Sequence, residues 1–565
     1  MSRIRVLALA LVTAAATVVT PAPPAAAAGA TLTVDVSRPF RPVTHAATGG
    51  LYGLAENSRP ADSTLLPIKV NSLTQPAPGV GQRPNGQPPG GDSLLIAPQA
   101  DRVGAGQYIR MPDIYPNFPY RWVSWNDWLA KVDTMVRARL NATTVTNVLG
   151  WELWNEPDYT WDTAAAGDFN EGWVRTYRAV RALDQQTPIV GPSTAVYSRS
   201  WMRAFLIRAR DTGTLPDIIC WHELINPDRI ASDVADYRNL EASLGISPRR
   251  ISINEYAAPA EVDVPGRVAS YVAKLERAGV ESAHRAFWYE YGTMNGLVVN
   301  NNQPTGTWWL YKWYGDMAGN MVTTTPGGQT GLDGFAAYDP TRRIVNVVFG
   351  DEAGTNTIEL TGLQALGSSV RVTLLSTPSR GRFTAVTAPT TVSTSTRTVS
   401  GGRLSVSVPN MSATSAYQLV VEPASGVPAY QQRYEAENAS VFRALRLTSS
   451  SASAGGYVGR IDNSGTPRTD SYVDFIVNVP EARTYTMTIG YANGTGATAT
   501  QGLAYNGGAW RTVSYPPTAG WGQFGATIST TVDLRAGYNV IRLAKGSPYF
   551  AGGTGYAELD YIQLT

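Results

Sequence analysis

Between Thr48 and Met317 short apolar runs alternate with amphipathic stretches, and this alternation excludes most folds open to a chain of 565 residues. Residues 50–54, 66–70, 107–111, 148–155, 188–192, 217–222, 250–255 and 286–291 read as strands, being short, apolar and bounded by turn-forming residues. Residues 125–140, 170–183, 200–210 and 266–278 read as helices. In the first of these Trp128, Leu129, Val132, Val136 and Leu140 recur at spacings of three and four. Eight strand–helix units in a stretch of this length predict a (β/α)8 TIM barrel. Residues 75–91, rich in Pro and Gly, are expected as a long loop over its mouth.

The pattern changes on either side of the barrel region. Residues 1–28 combine Arg3 and Arg5, an apolar run and the small-residue end Ala26-Ala27-Ala28, the order of a secretory signal peptide. The run is too short to anchor the chain in a membrane, so the mature protein is expected to be secreted, extracellular and without a membrane partner. Residues 29–47 supply a strand that joins a flanking β-sandwich formed mainly by 318–423, and 48–317 form the barrel. Residues 424–433 read as a linker and 434–565 as a second all-β unit. The net charge of +2 with no basic face argues against a nucleic-acid partner. A single cysteine, Cys220, excludes an intramolecular disulfide. It stands in an apolar strand, where a thiol packs as a small hydrophobe more readily than it attacks a substrate.

Two motifs carry chemistry. Trp151-Glu152-Leu153-Trp154-Asn155-Glu156-Pro157 ends the fourth barrel strand, and Arg250-Ile251-Ser252-Ile253-Asn254-Glu255-Tyr256 ends the seventh. Strict alternation places Glu152, Trp154 and Glu156 on one face, and Ile251, Ile253 and Glu255 on the inward face. Barrel catalysts sit at the C-terminal ends of strands, so Glu156 and Glu255 are expected to meet across the mouth. Glu152, deeper on its strand, reads as a structural partner for a cation. Paired carboxylates suit glycosidic cleavage, one attacking the anomeric carbon while the other protonates the leaving oxygen. A separation of about 5–5.5 Å goes with retention and roughly 6.5–9.5 Å with inversion. Mutual repulsion should raise the acid's pKa above its partner's.

The Trp-Asn-Glu-Pro and Asn-Glu motifs resemble those of the clan A glycoside hydrolases, and over residues 31–423 the chain looks most like glycoside hydrolase family 39, which includes β-xylosidases. The resemblance implies Glu156 as acid/base, Asn155 as a donor to the sugar 2-hydroxyl, Glu255 as nucleophile and Trp288 as the aromatic floor of the first sugar site. His222 and Glu290, at strand ends, are further substrate contacts. The clan's early-strand arginine has two competitors here, Lys69 and Arg110. With three dispersed histidines the barrel has no Cys- or His-based metal cluster and needs no cofactor for catalysis.

Residues 434–565 resemble carbohydrate-binding modules of family 35 and its family 6 relatives. Glu435 and Glu437, on one face of an opening strand, with Asp560 on the closing strand, are hard oxygen ligands suited to a structural calcium ion. Tyr457, Asn493 and Trp521 are candidate sugar contacts, with Trp510 an alternative to the last. The expected activity is a secreted retaining glycoside hydrolase acting on plant or microbial polysaccharide or oligosaccharide. The competing reading is a non-catalytic polysaccharide-binding protein with a degenerate barrel.

Overall fold

The chain enters the fold through β1 (Thr31–Pro42), which pairs antiparallel with Asn320–Pro326 and parallel with Gly354–Thr361. Eight parallel strands then close into a barrel: β2 (Gly49–Leu51), β3 (Ser72–Pro76), β4 (Gly106–Arg110), β5 (Val148–Glu152), β6 (Ile189–Thr194), β7 (Ile218–Trp221), β8 (Arg250–Tyr256) and β9 (Ser282–Ala286). The structure, a computed structural model, describes residues 29–55, 60–83, 91–287, 292–299, 302–425, 430–461, 470–535 and 537–565. The signal peptide read in residues 1–28 lies outside them.

The helices form where their periodicity places them. Trp125–Asn141 starts at Ser124, whose hydroxyl accepts the amide of Asp127 at 3.1 Å and satisfies one free donor of the first turn. It buries Trp128, Val132, Met135 and Val136 against the barrel. Asp168 caps Phe169–Leu183 in the same way.

Two barrel strands differ from the sequence reading. Residues 66–70 are not a strand: Leu66–Ile68 is a 3-10 turn with Pro67 at its start, and Lys69 follows with φ of 51°. The second barrel strand is β3, whose Ser72 and Thr74 hydroxyls meet the two ring nitrogens of buried His284 at 2.9 and 2.6 Å. The eighth strand is β9, centred on His284 and ending at Ala286 rather than beginning there. Both strands carry polar side chains that satisfy one another inside the barrel, so an apolar pattern passes over them.

The expected β-sandwich is one continuous nine-stranded sheet in which β1 lies between Asn320–Pro326 and Gly354–Thr361. Its two halves share one apolar cluster that includes Leu32, Val34, Val347, Ile358, Leu360, Val372 and Leu419. The barrel helix Pro265–Ala278 packs on it, with Lys274 and Arg277 both paired to buried Asp333. Residues 432–565 form two further sheets enclosing a third core, with Gln432–Glu435 paired to Glu558–Leu564.

The helix Gly306–Gly315 is buried along its whole length. Its Lys312 pairs with Asp316 and lies 3.3 Å from the centre of the Tyr538 ring, which the C-terminal unit contributes. The Tyr538 hydroxyl donates to Asp316. Burial pulls the Lys312 amine down to about 8.

Candidate active site

Glu156 reaches the barrel mouth by a different route from strand alternation. β5 stops at Glu152, and Trp154 turns outward into an aromatic cluster with Tyr120, Trp128 and Trp161. Glu156 itself has φ of 51°, a left-handed conformation a glutamate holds at a cost of about 1–3 kcal/mol. Its amide donates to Ser193 at 2.8 Å, and Pro157 starts the short helical turn Pro157–Thr160. β8 likewise departs from strict alternation. Ile251 and Ile253 pack outward against the helices, while Asn254 reaches Cys220 across the interior. The register against β9 then shifts between Ile253 and Tyr256, and the irregularity turns Glu255 into the mouth.

The two glutamates meet there. A carboxylate oxygen of Glu156, a carboxylate oxygen of Glu255 and a ring nitrogen of His222 all lie within 4.8 Å of one another, and all three residues are buried. His222 sits between the carboxylates, Nδ1 at 3.1 Å from Glu156 Oε1 and Nε2 at 3.8 Å from Glu255 Oε1. Arg110, at the end of β4, donates to Glu255 Oε1 at 2.6 Å and to Glu152 Oε2 at 2.9 Å. Arg110 therefore fills the place for which Lys69 competed, and exposed Lys69 is not among the groups around Glu255. Glu152 is the buried partner of that cation.

Three residues that the sequence reading missed complete this network. Tyr52 takes a 3.2 Å bond from Arg110 and donates to Asp113 Oδ2 at 2.7 Å, while Tyr120 donates to Asp113 Oδ1 at 2.8 Å. Burial pushes Asp113 up to about 7, against the pull of Arg110. Asn155 is buried beside Tyr120, to whose hydroxyl it is hydrogen-bonded, and its Oδ1 has no partner among the described residues. Trp288 and Glu290 lie outside the described residues.

Charge in the cleft is ordered by burial and by His222. Burial raises Glu255, and the charges of His222 and Arg110 offset only part of this, so it stands above the ordinary carboxylate range. Burial also acts to raise Glu156, but the hydrogen bond and charge of His222 outweigh it and leave Glu156 below that range. His222 is raised: burial opposes its charge, but Glu255 and Glu156 more than compensate. This order is opposite to the expected one, in which the acid/base stands higher. The difference lies in burial and in His222: Glu255 is the more deeply buried of the two, and the imidazole gives its hydrogen bond to Glu156.

Cys220 is fully buried, its thiol pushed up by burial and bonded to Asn254 at 2.7 Å, so it is no nucleophile.

A closed parallel barrel with two buried glutamates facing each other at its mouth is the arrangement that barrel-type glycoside hydrolases use. No family model matches the chain. N2152 from Neocallimastix frontalis is 33% identical in sequence and superposes with a TM-score of 0.67, covering 70% of this chain and 100% of that one. The 3-O-alpha-D-galactosyl-alpha-L-arabinofuranosidase of Bifidobacterium longum subsp. longum is 26% identical over 521 residues, 77% of this chain and 44% of that protein. The 3-O-beta-L-arabinopyranosyl-alpha-L-arabinofuranosidase of Bifidobacterium pseudocatenulatum is 26% identical over 499 residues, 74% of this chain and 49% of that protein. The chain thus spans about half the length of the curated relatives it matches. The closed barrel and the two glutamate motifs are in keeping with the resemblance to clan A glycoside hydrolases, and to family 39 among them, read from the sequence.

In the C-terminal unit the acidic trio is assembled by a different local structure from the expected one. The strand ends at Glu435, and Glu437 lies in the 3-10 turn Ala436–Asn438 rather than on the same strand face. Ser453 links two of the three, its amide 3.0 Å from Asp560 Oδ1 and its hydroxyl 2.5 Å from Glu435 Oε2. Burial raises Glu437, and the charges of Glu435 and Asp560 raise it further. Its Oε2 is buried with no hydrogen bond among the described residues. The three carboxylates repel one another, but their oxygens do not converge as the polar atoms of Glu156, His222 and Glu255 do, all within 4.8 Å of one another.

Trp521 is half-exposed over Gly494, and Tyr457 packs 4.9 Å from Phe524 in the adjoining loop. Asn493 is not a sugar contact. It is fully buried, its amide donating to Ala497 and Tyr515 carbonyls at 2.8 Å and its Oδ1 accepting from Thr495, so every polar atom holds the loop. Trp510 is partly exposed and leans on Phe550 instead.

Proposed function

We propose that this chain is an exported, retaining glycosidase that acts on arabinofuranosyl linkages, with Glu255 as nucleophile and Glu156 as acid/base. The observation that carries the reading is the approach of the two carboxylates to within 4.8 Å, close to the separation of about 5–5.5 Å that goes with double displacement and below the roughly 6.5–9.5 Å of inversion. Glu255, oriented by Arg110, attacks the anomeric carbon while Glu156 gives its proton to the leaving oxygen. Glu156 then takes a proton from the water that releases the sugar from Glu255. His222 is hydrogen-bonded to Glu156 and lies 3.8 Å from Glu255, so its charge acts on both carboxylates. The amide oxygen of Asn155 is buried without a partner among the described residues, so toward a sugar hydroxyl it would accept a hydrogen bond rather than donate one. Trp288 keeps the role the family resemblance gives it, and Glu290 that of a polar substrate contact. The choice of sugar rests on the two relatives, both named as arabinofuranosidases that recognise a 3-O-glycosylated arabinofuranosyl unit.

The C-terminal unit is proposed as a carbohydrate-binding module, with Tyr457 and Trp521 at its sugar site and a structural calcium held by Glu435, Glu437 and Asp560. The test of the catalytic reading is proton NMR of the first product from an arabinofuranoside, together with azide rescue. Retention is expected, with an azide adduct of retained configuration when Glu156 is replaced by Ala and of inverted configuration when Glu255 is. A first product of inverted configuration would overturn the assignment. Oligosaccharides with substituted and unsubstituted arabinofuranosyl ends, compared for turnover, test the sugar preference.

A further inference from the structure

Most large apolar side chains near the mouth are covered, yet Phe118 and Tyr159 are 50% and 63% exposed. They come from different loops, one after β4 and one after β5, and their rings lie 6.2 Å apart at 51°. Both are tied to the catalytic machinery. The Tyr159 amide donates to the Glu156 carbonyl at 2.9 Å. Phe118 meets Tyr120 edge-on at 5.6 Å, and Tyr120 is hydrogen-bonded to Asp113 and Asn155. An aromatic path thus runs outward from the acid/base to two open rings. Neighbouring exposed rings of this kind mark a surface that a ligand covers.

We propose that Phe118 and Tyr159 form the platform for the leaving-group sugar. The inference rests on the acid/base role of Glu156. That carboxyl must touch the oxygen of the departing residue, so the leaving group lies on its side of the cleft, the side of the loops after β4 and β5 that carry Phe118 and Tyr159. A pyranose or furanose presents a C–H face to an aromatic ring, and two tilted rings cradle one sugar from below and from the side. The platform selects for a saccharide aglycone and has no part in bond breaking.

The experiment compares two substrates with one glycone: an arabinofuranosyl oligosaccharide and arabinofuranosyl fluoride, whose leaving group is a single atom. Both side chains are exposed, so Phe118→Ala, Tyr159→Ala and the double variant disturb little packing. The ratio of kcat/KM on the oligosaccharide to that on the fluoride should fall roughly fivefold per ring, with Tyr159→Phe restoring most of it. Inhibition by the free leaving-group saccharide should weaken in parallel. Equal losses on both substrates, or no loss on either, would overturn the platform. Failure of the unaltered protein to cleave either substrate would instead refute the hydrolase reading on which the platform rests.

Discussion

Replacing Arg110 by Met removes one cation from two buried carboxylates at once. The guanidinium is 1% exposed and lies 2.6 Å from Glu255 and 2.9 Å from Glu152, which are almost fully buried themselves. Breaking a buried pair by deleting one partner costs about 3–5 kcal/mol, because the remaining charge has no solvent to return to. Here the stranded groups can escape by taking up protons. The carboxylate pKa values of the folded variant stand above those of the unfolded chain, so the loss is small near pH 4.5 and grows as pH rises. The same shift disables the nucleophile: losing an opposite charge at this distance raises a carboxyl by about 1–3 units. Below the new pKa the ionised fraction of Glu255 is therefore lower by roughly tenfold to a thousandfold, and the acid limb of kcat/KM moves to higher pH. Urea unfolding at pH 5, 6.5 and 8, paired with a pH–rate profile on a chromogenic arabinofuranoside, measures both effects. Arg110→Lys should recover part of the stability and less of the rate, since an ammonium cannot hold two carboxylates in one fork. A folded Arg110→Met protein with an unmoved acid limb would refute the argument that Arg110 keeps Glu255 ionised.

His222→Gln should move both limbs of the kcat/KM profile to higher pH, since His222 lowers Glu156 and Glu255 alike; static limbs would remove it from the proton circuit. His284, held neutral by burial down to about 3 against 6.5 unfolded, binds its proton in the unfolded chain first. Stability is therefore lost as pH falls from 6.5 towards 3, by about 5 kcal/mol in all, and His284→Gln should flatten the urea-midpoint profile across that window. Chelator should lower the melting temperature of the C-terminal unit by several degrees and leave turnover of small substrates unchanged, with Glu437→Ala imitating it. An identical melting profile with and without chelator would remove the calcium.

The motifs at Glu156 and Glu255 were legible because carboxylates at strand ends stand out against apolar runs. Their local geometry was not. A left-handed residue at Glu156 and a register shift before Tyr256 override strict alternation, and neither leaves a signature in residue type. β3 and β9 were misplaced because Ser72, Thr74 and His284 satisfy one another inside the barrel, where an apolar strand is the usual expectation. Arg110 could be named only as one of two candidates, since choosing it over Lys69 requires knowing which of them a strand carries to the mouth. Tyr52 follows β2 whereas Asp113 and Tyr120 share the loop after β4, so they meet only in three dimensions. Asn493 looked like a ligand because amides bind sugars, but its four loop contacts use the same chemistry.

The wedge of Tyr538 against Lys312 and Asp316 has a consequence for how a polymer is handled. A module on a free tether raises the local concentration of substrate in every direction, and its benefit falls as the tether lengthens. A module whose tyrosine closes over a buried lysine of the barrel has a compass bearing instead. On the proposed reading, a saccharide chain held at Trp521 would leave the unit along a fixed line, and the distance from that grip to Glu156 would be set by the protein's own geometry.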